Sequence, residues 1–294
     1  MQSHECEPSD ELRTFWREHP ALEHQPALIE AIVTALANNR VIVVERGRAP
    51  VLVGCVVHDL GNPDGASEII PLGCLGGAEL PDALAALLTH GEQLVRAAGG
   101  LRVEFHLPPR LVGIEPTLEA LGYCRAWENV DLELAPISSH RPVRHQLPEG
   151  AAWHDVDEHN VAVAHACYAR AFRTVPGAQT PPLEDYAKVV PSFRPRQRIL
   201  VLEGRALAFT RVGWKNEALG IGEVLNLGRD PEATCRGLGA LALLEAMRGL
   251  VGLGAGSAQL TVASTNPRAI GLYSGFGFSE KGRRAVLQKD LEPR

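Results

Sequence analysis

Between Asp230 and Met247 the chain reads DPEATCRGLGALALLEAM. Polar residues give way at Arg236-Gly237-Leu238-Gly239 to a segment that is apolar almost throughout and reads as a helix. Gly237 and Gly239 remove two Cβ atoms where the chain enters that helix, so backbone N–H groups can approach a ligand closely. The first turn of a helix carries N–H groups without intrahelical partners and a partial positive charge, and both attract phosphate. Arg236 adds a fixed charge able to make paired contacts to a phosphate. A helix apolar on nearly all sides is buried, so the site is rigidly mounted. The turn predicts a pyrophosphate cradle. On these residues alone, glycines placed only for helix packing are the alternative.

Two familiar phosphate sites fit less well. A nucleotide-hydrolysing loop needs Lys and then Ser or Thr after its last glycine, and here Ala240 and Leu241 follow. The run GLGALA satisfies the dinucleotide pattern, but RDPEATCR separates it from the preceding strand. The acidic residue expected about 20 positions on, to bind ribose, is also missing. Cys235, beside Arg236 at the helix start, is a candidate nucleophile, yet no histidine stands near it in sequence to activate it.

The elements that position this turn occur twice. In the first half a helix is expected over residues 25–39, a hairpin over RVIVVERG and APVLVGCVVHDL, and a strand at SEIIPLGC. Helix PDALAALLTHGEQLVRAA, strand LRVEFHL, short helix EPTLEALG and strand AWENVDLEL follow. The second half repeats the order. It has helices DEHNVAVAHACYARAF and PLEDYAKVV, a hairpin turning at Glu203-Gly204-Arg205 and strand GIGEVLNLG. Next come the long helix, strand AQLTVAS, short helix NPRAIGLYS and strand RRAVLQKDL. Landmarks align at nearly constant offset, Arg48 with Arg205 and Tyr123 with Phe278 (205 − 48 = 157; 278 − 123 = 155), as an internal duplication requires. The expected division is a first domain over 1–136, a linker over 137–150 and a second domain over 151–294. Each is an α/β (α+β) domain.

Composition narrows the function. With 45% hydrophobic and 22% charged residues, 294 residues make an ordinary globular protein with room for a large core. A net charge of −6 and a pI near 6.0 offer no basic stripe, so no nucleic-acid partner is expected. The six cysteines are scattered and the eleven histidines form no ligand pattern, so neither a metal nor a disulfide framework is expected. No apolar run is long enough for a membrane span and the N-terminus lacks a secretory pattern, which together predict a cytoplasmic protein.

LNLGRDPEATCRGLGALALLEAM, followed by LTVASTNPRAIGLYSGFGF, resembles the GNAT superfamily of acyl-CoA-dependent N-acyltransferases. The resemblance covers the second half closely, from about Asp155, and the first half only as architecture. It implies two tandem GNAT-like domains, each a mixed, mostly antiparallel twisted sheet flanked by helices. The family's pyrophosphate loop, Q/R-x-x-G-x-G/A, falls on Thr234-Cys235-Arg236-Gly237-Leu238-Gly239, with Ala240 next. Thr234 departs from it where the family has Gln or Arg. The resemblance further implies that backbone groups of Leu227, Gly228 and Arg229 hold the acyl carbonyl and pantetheine arm, and that Asn266 touches the cofactor. Asn266 before Pro267 is also a natural helix N-cap.

By the same resemblance Tyr273 faces the sulfur as general acid and Glu223 serves as general base, directly or through water. The bland alternatives are a core tyrosine and a solvated strand glutamate. The expected activity is direct transfer of an acetyl group from acetyl-CoA, or of another acyl group, to the amine of a small molecule. The alternative is a non-catalytic acyl-CoA-binding sensor or assembly module. In the first half LGGAELPDALAALL takes the loop position, with Gly76 and Gly77 but no arginine beside them and with Glu79 set to repel phosphate. Leu118 stands where the second half has Tyr273. That half is expected to have kept the fold and lost cofactor binding.

Overall fold

A computed structural model describes residues 1–6, 40–46, 49–58, 66–74, 80–107, 113–137, 146–173, 175, 180–189 and 196–291. The helix expected over 25–39 and the segment Gly76–Glu79 lie outside the described residues. The chain divides into two compact units, Met1–Trp127 with Arg284–Arg294, and Glu128–Arg283.

The first unit contains strands β1 (Gln2–Cys6), β2 (Arg40–Arg46), β3 (Ala49–His58), β4 (Ala66–Cys74) and β5 (Arg102–His106). Helices α1 (Leu80–Ala97) and α2 (Glu115–Ala120) belong to it as well. β1 to β4 form an antiparallel meander and β5 joins β4 in parallel. α1 buries Ala83, Leu84, Leu87, Leu88, Gly91 and Val95, a stripe at helical spacing, against Ile42, Leu52, Val56, Val103 and Phe105. Glu92 falls on the same buried stripe and is neutralised by Lys289 Nζ at 2.8 Å and by Arg96 at 3.3 Å.

The second unit contains β7 (Ala152–Asp155), α3 (Val161–Phe172), α4 (Leu183–Val189), β8 (Arg196–Leu202), β9 (Arg205–Asn216) and β10 (Ile221–Arg229). α5 (Leu238–Leu253), β11 (Ser257–Ala263) and α6 (Pro267–Phe276) complete that sequence. β7 to β10 are antiparallel and β11 joins β10 in parallel. Both units thus have the expected mixed, mostly antiparallel sheet with flanking helices. β1 and β7 were not expected. β7 is short and mostly exposed, so it shows no alternation to read.

Division by compactness differs from division by sequence at the last strand of each half. β6 (Cys124–Leu134) pairs with β11, Leu132 opposite Leu260, while β12 (Ser279–Asp290) pairs with β5, Gln288 opposite Glu104. The duplication survives in the register. A shift of 155 residues carries Ala66↔Arg102 onto Ile221↔Ser257 (221 − 66 and 257 − 102). The same shift carries Glu133↔Gln259 to Gln288↔Glu104 with the strands' origins exchanged (288 − 133 and 259 − 104).

Among the described residues no helix is long and apolar enough to cross a membrane, and no group of His, Cys, Asp and Glu is placed to hold a metal.

Glu68 of β4 neighbours Glu104 of β5 in register, and His106 Nδ1 stands 3.4 Å from a Glu68 oxygen. Burial pushes the Glu68 carboxyl up to about 7, with Arg284 opposing the shift. Above its ordinary value of 4.5 the unfolded chain has released this proton while the folded unit still holds it. Stability therefore falls as pH rises from about 4.5 to about 7. Glu68→Gln is expected to remove a loss on the order of 2 kcal/mol between pH 5 and 8. Denaturant unfolding at the two pH values checks this, and equal losses in both proteins would show that Glu68 ionises without penalty.

Candidate functional site

The second unit's site starts from a break in its sheet. β10 pairs with β11 only from Ile221 to Glu223, opposite Ser257 to Gln259, although β10 continues to Arg229. On its other edge β10 stays paired with β9, with a register shift between Val224 and Asn226 that leaves Leu225 as the extra residue, 40% exposed. A bulge increases local twist and turns a strand away from its neighbour. The backbone of β10 beyond Glu223 thus presents an edge that β11 does not take.

α3 and α5 hold this strand from both sides. A Cβ on Gly228 would lie 2.5 Å from the Phe209 ring and 3.1 Å from Ala171 of α3, so the strand sits hard against that layer. Gly222 would meet Leu250 of α5 at 2.7 Å in the same way. α5 buries residues around most of its circumference, including Leu238, Leu241, Leu243, Ala246, Met247 and Leu250. Its one buried carboxylate, Glu245, is paired with Arg198 of β8.

β10 ends at Arg229 and α5 begins at Leu238, with Asp230 to Gly237 between them. Gly237, the N-cap, has φ 78°, a left-handed backbone that costs a residue with a Cβ about 1–2 kcal/mol. No side chain caps this end, so the first-turn N–H groups of Leu238, Gly239 and Ala240 have no intrahelical acceptor. Thr234 and Arg236 are exposed, and Cys235 is half-buried against the cluster of Leu200, Leu207 and Leu238. Leu227, Gly228 and Arg229 lie on the part of β10 that β11 leaves unpaired.

Tyr273 lies on α6 in the cluster with Val224, Ala240, Leu243 and Leu260, 6.0 Å from the Phe278 ring. Burial alone pushes its phenol up to about 12. Glu223 is next to Val224 in β10 and by strand alternation faces the opposite side of the sheet. Its carboxylate accepts from Lys215 Nζ at 2.8 Å. The two residues therefore lie on opposite faces, beside the place where β10 and β11 part. Asn266 caps α6, its Oδ1 accepting from Ala269 N at 3.0 Å. Of the acidic pair entering α4, Asp185 is held by Lys188 at 3.0 Å.

Sequence reasoning missed Asp230. It is fully buried, and its carboxylate accepts from Arg205 of β9 and Arg170 of α3. A carboxylate followed by proline hints at a turn, but nothing in the chain announces two arginines 25 and 60 residues away.

Residues 167–278 match the acetyltransferase (GNAT) family. The chain carries a GNAT-family domain. Its whole length is similar in fold to a tandem GNAT protein from the clavulanic acid biosynthesis pathway, with TM-score 0.72 and 15% identity over 100% of this chain and 99% of that one. A GCN5-related N-acetyltransferase from Sphaerobacter thermophilus is similar over 99% of this chain and 96% of that one, with TM-score 0.66 and 16% identity. In sequence the GNAT domain is similar to mycothiol acetyltransferases. That of Segniliparus rotundus is 42% identical over 59 residues, 20% of this chain and 22% of that protein. That of Mycobacteroides abscessus is 36% identical over 92 residues, 30% of this chain and 31% of that protein. The matches thus span less than a third of either relative.

Asn266→Ala is expected to cost about 1 kcal/mol of stability through loss of the cap. Thermal unfolding checks it. An unchanged midpoint would show that Pro267 alone fixes the start of this GNAT domain's α6.

Proposed function

We propose that the second unit is an acyl-CoA-dependent N-acyltransferase that moves an acetyl group directly to the amine of a small molecule in a ternary complex. The observation that carries this is the pairing of an uncapped, glycine-led N-terminus of α5 with the open edge of β10, both at the same end of the sheet. The cradle fits the cosubstrate's phosphates. A Cβ at Gly237 would be strained, and the N–H groups of Leu238, Gly239 and Ala240, with Arg236 alongside, form a site for a pyrophosphate. The freed backbone of Leu227 to Arg229 offers N–H and C=O groups to an amide-bearing arm and to the acyl oxygen. Acetyl-CoA supplies a thioester carbonyl and a thiolate leaving group.

Glu223 takes a proton from the attacking amine, directly or through water, once its pairing with Lys215 is given up or shared. Tyr273 stays a neutral phenol at physiological pH, because its group titrates near 12. A thiol titrates near 8.5, so full transfer from the phenol is uphill by about 5 kcal/mol. Tyr273 therefore acts mainly by donating a hydrogen bond to the departing sulfur. The substrate reaches Glu223 from the side of the sheet that carries α3 and α4. The mildly acidic chain and its fold suit a cytoplasmic enzyme acting on an amine, and the similarity to mycothiol acetyltransferases suits a small-molecule acceptor.

The Lys215–Glu223 pair is the observation that favours the second reading, an acyl-CoA-binding module without turnover, since a sensor needs no free base. The two are separated by titrating the full chain calorimetrically with acetyl-CoA, NADH as control, and then screening amines for CoA release. Binding near one per chain is expected, lost in Gly237→Glu. Tyr273→Phe is expected to lower kcat about 10²-fold with Kd for acetyl-CoA nearly unchanged. The wild-type kcat is expected to show no alkaline loss from Tyr273 until pH approaches 12. Binding with no turnover on any amine supports the sensor, and binding of NADH alone revives a dinucleotide site.

A further inference from the structure

Asp230 is 0% exposed, yet every polar atom it has is engaged. Its Oδ2 accepts from Arg205 Nε at 2.8 Å and Nη2 at 2.6 Å, and from Arg170 Nε at 3.1 Å. Its Oδ1 accepts from Glu232 N at 3.0 Å. The backbone carbonyl accepts from Ala233 N at 3.2 Å, and the backbone N donates to Leu207 O at 2.8 Å. Burial opposes ionisation here, but the hydrogen bonds from Arg205, Glu232 N and Arg170 outweigh it and hold the carboxyl below the usual range. Arg205 also reaches Glu232 at 2.8 Å, so the first residues of the turn are tied to β9 on both sides of Pro231.

This arrangement fixes one end of a short connection whose other end is the start of α5. Only residues 231–236 lie between Asp230 and Gly237. Leu238 is buried, so the helix end cannot drift, and a turn pinned at both ends has little freedom left. The arginines that do the pinning come from α3 and from the β8–β9 turn, elements that share no sequence neighbourhood with the turn. We propose that Asp230, through Arg170 and Arg205, is a positioning residue for the phosphate-binding turn 231–239. It holds the N–H groups of the α5 terminus ready for the cosubstrate's pyrophosphate without touching it. The proposal rests on the acyl-CoA reading above.

Asp230→Asn keeps the shape and the acceptor for Glu232 N, and removes the charge that faces two guanidinium groups. Calorimetry with acetyl-CoA on the full chain is expected to show Kd about tenfold higher or more, as for residues that orient a binding group. Amide hydrogen exchange across 232–240 is expected to accelerate while that of α1 stays unchanged. A lower melting temperature with Kd and local exchange unchanged would overturn the proposal, leaving Asp230 a purely structural residue. Where Asp230→Asn fails to fold, Arg205→Gln removes two of the hydrogen bonds from a half-exposed side chain, with the same direction expected in both readouts. Wild-type protein that binds no acetyl-CoA sinks the acyl-CoA reading and this proposal together. Wild-type binding matched by both variants sinks the proposal alone.

Discussion

Parallel pairing between β10 and β11 stops at Glu223 and Gln259, and the backbone of β10 beyond that rung must find other partners. In an ordinary sheet this is a liability, because an unpaired edge invites any passing strand. Here the bulge at Leu225 and the tight seat of Gly228 against Phe209 give the edge a fixed direction. Beyond Glu223 the edge is unpaired with β11 and seated against α3. The glycine-led start of α5 follows within eight residues of the strand's end, so a ligand that satisfies the edge at one point meets a positive helix end at the next. The proposed site is made mostly of backbone, which side chains such as Asp230 and Phe209 hold in place.

That division explains what the chain discloses. The turn at Gly237 was legible because two glycines beside an arginine before an apolar run have few structural explanations, and Gly237 does adopt a left-handed backbone. Helical spacing made α1 legible because one face is buried, and α5 was legible because it is apolar almost throughout. β5 was legible because Val103 and Phe105 alternate with polar residues, although Glu104 between them is buried too. The knot at Asp230 was not, since its partners are joined only by folding. The pairing of Glu223 with Lys215 was equally hidden, although it bears directly on whether that carboxylate acts as a base. The exchange of β6 and β12 also escaped notice. Each strand has the same alternation wherever it pairs, so pattern alone cannot assign it to a sheet.

The duplicated register gives a controlled comparison of one rung in two settings. Glu68, Glu104 and Gln288 in the first unit correspond at the shift of 155 residues to Glu223, Gln259 and Glu133 in the second (223 − 68, 259 − 104, 288 − 133). In the first unit Glu104 is buried against Gln288 at 2.9 Å, while Glu68, its side chain 21% exposed, faces His106 at 3.4 Å and is pushed up to about 7 by desolvation. In the second, Glu223 meets Lys215 at 2.8 Å and Glu133 meets Lys281 at 2.7 Å, each carboxylate facing a cation on a partly exposed surface. The same position in the fold therefore faces a histidine in one unit and a lysine in the other.

The position of Tyr273 diverges in the same sense. Its counterpart at that shift is Leu118, fully buried in the first unit's core (273 − 118). A leucine there completes packing and offers no proton, whereas Tyr273 spends some of that packing on a phenol raised to about 12 by its surroundings. Keeping a polar group in an apolar cluster costs stability unless the hydroxyl finds a partner. The left-handed Gly237 and the uncapped start of α5 lie in the same unit as Tyr273. Backbone strain and N–H groups without intrahelical acceptors are features that a ligand can use.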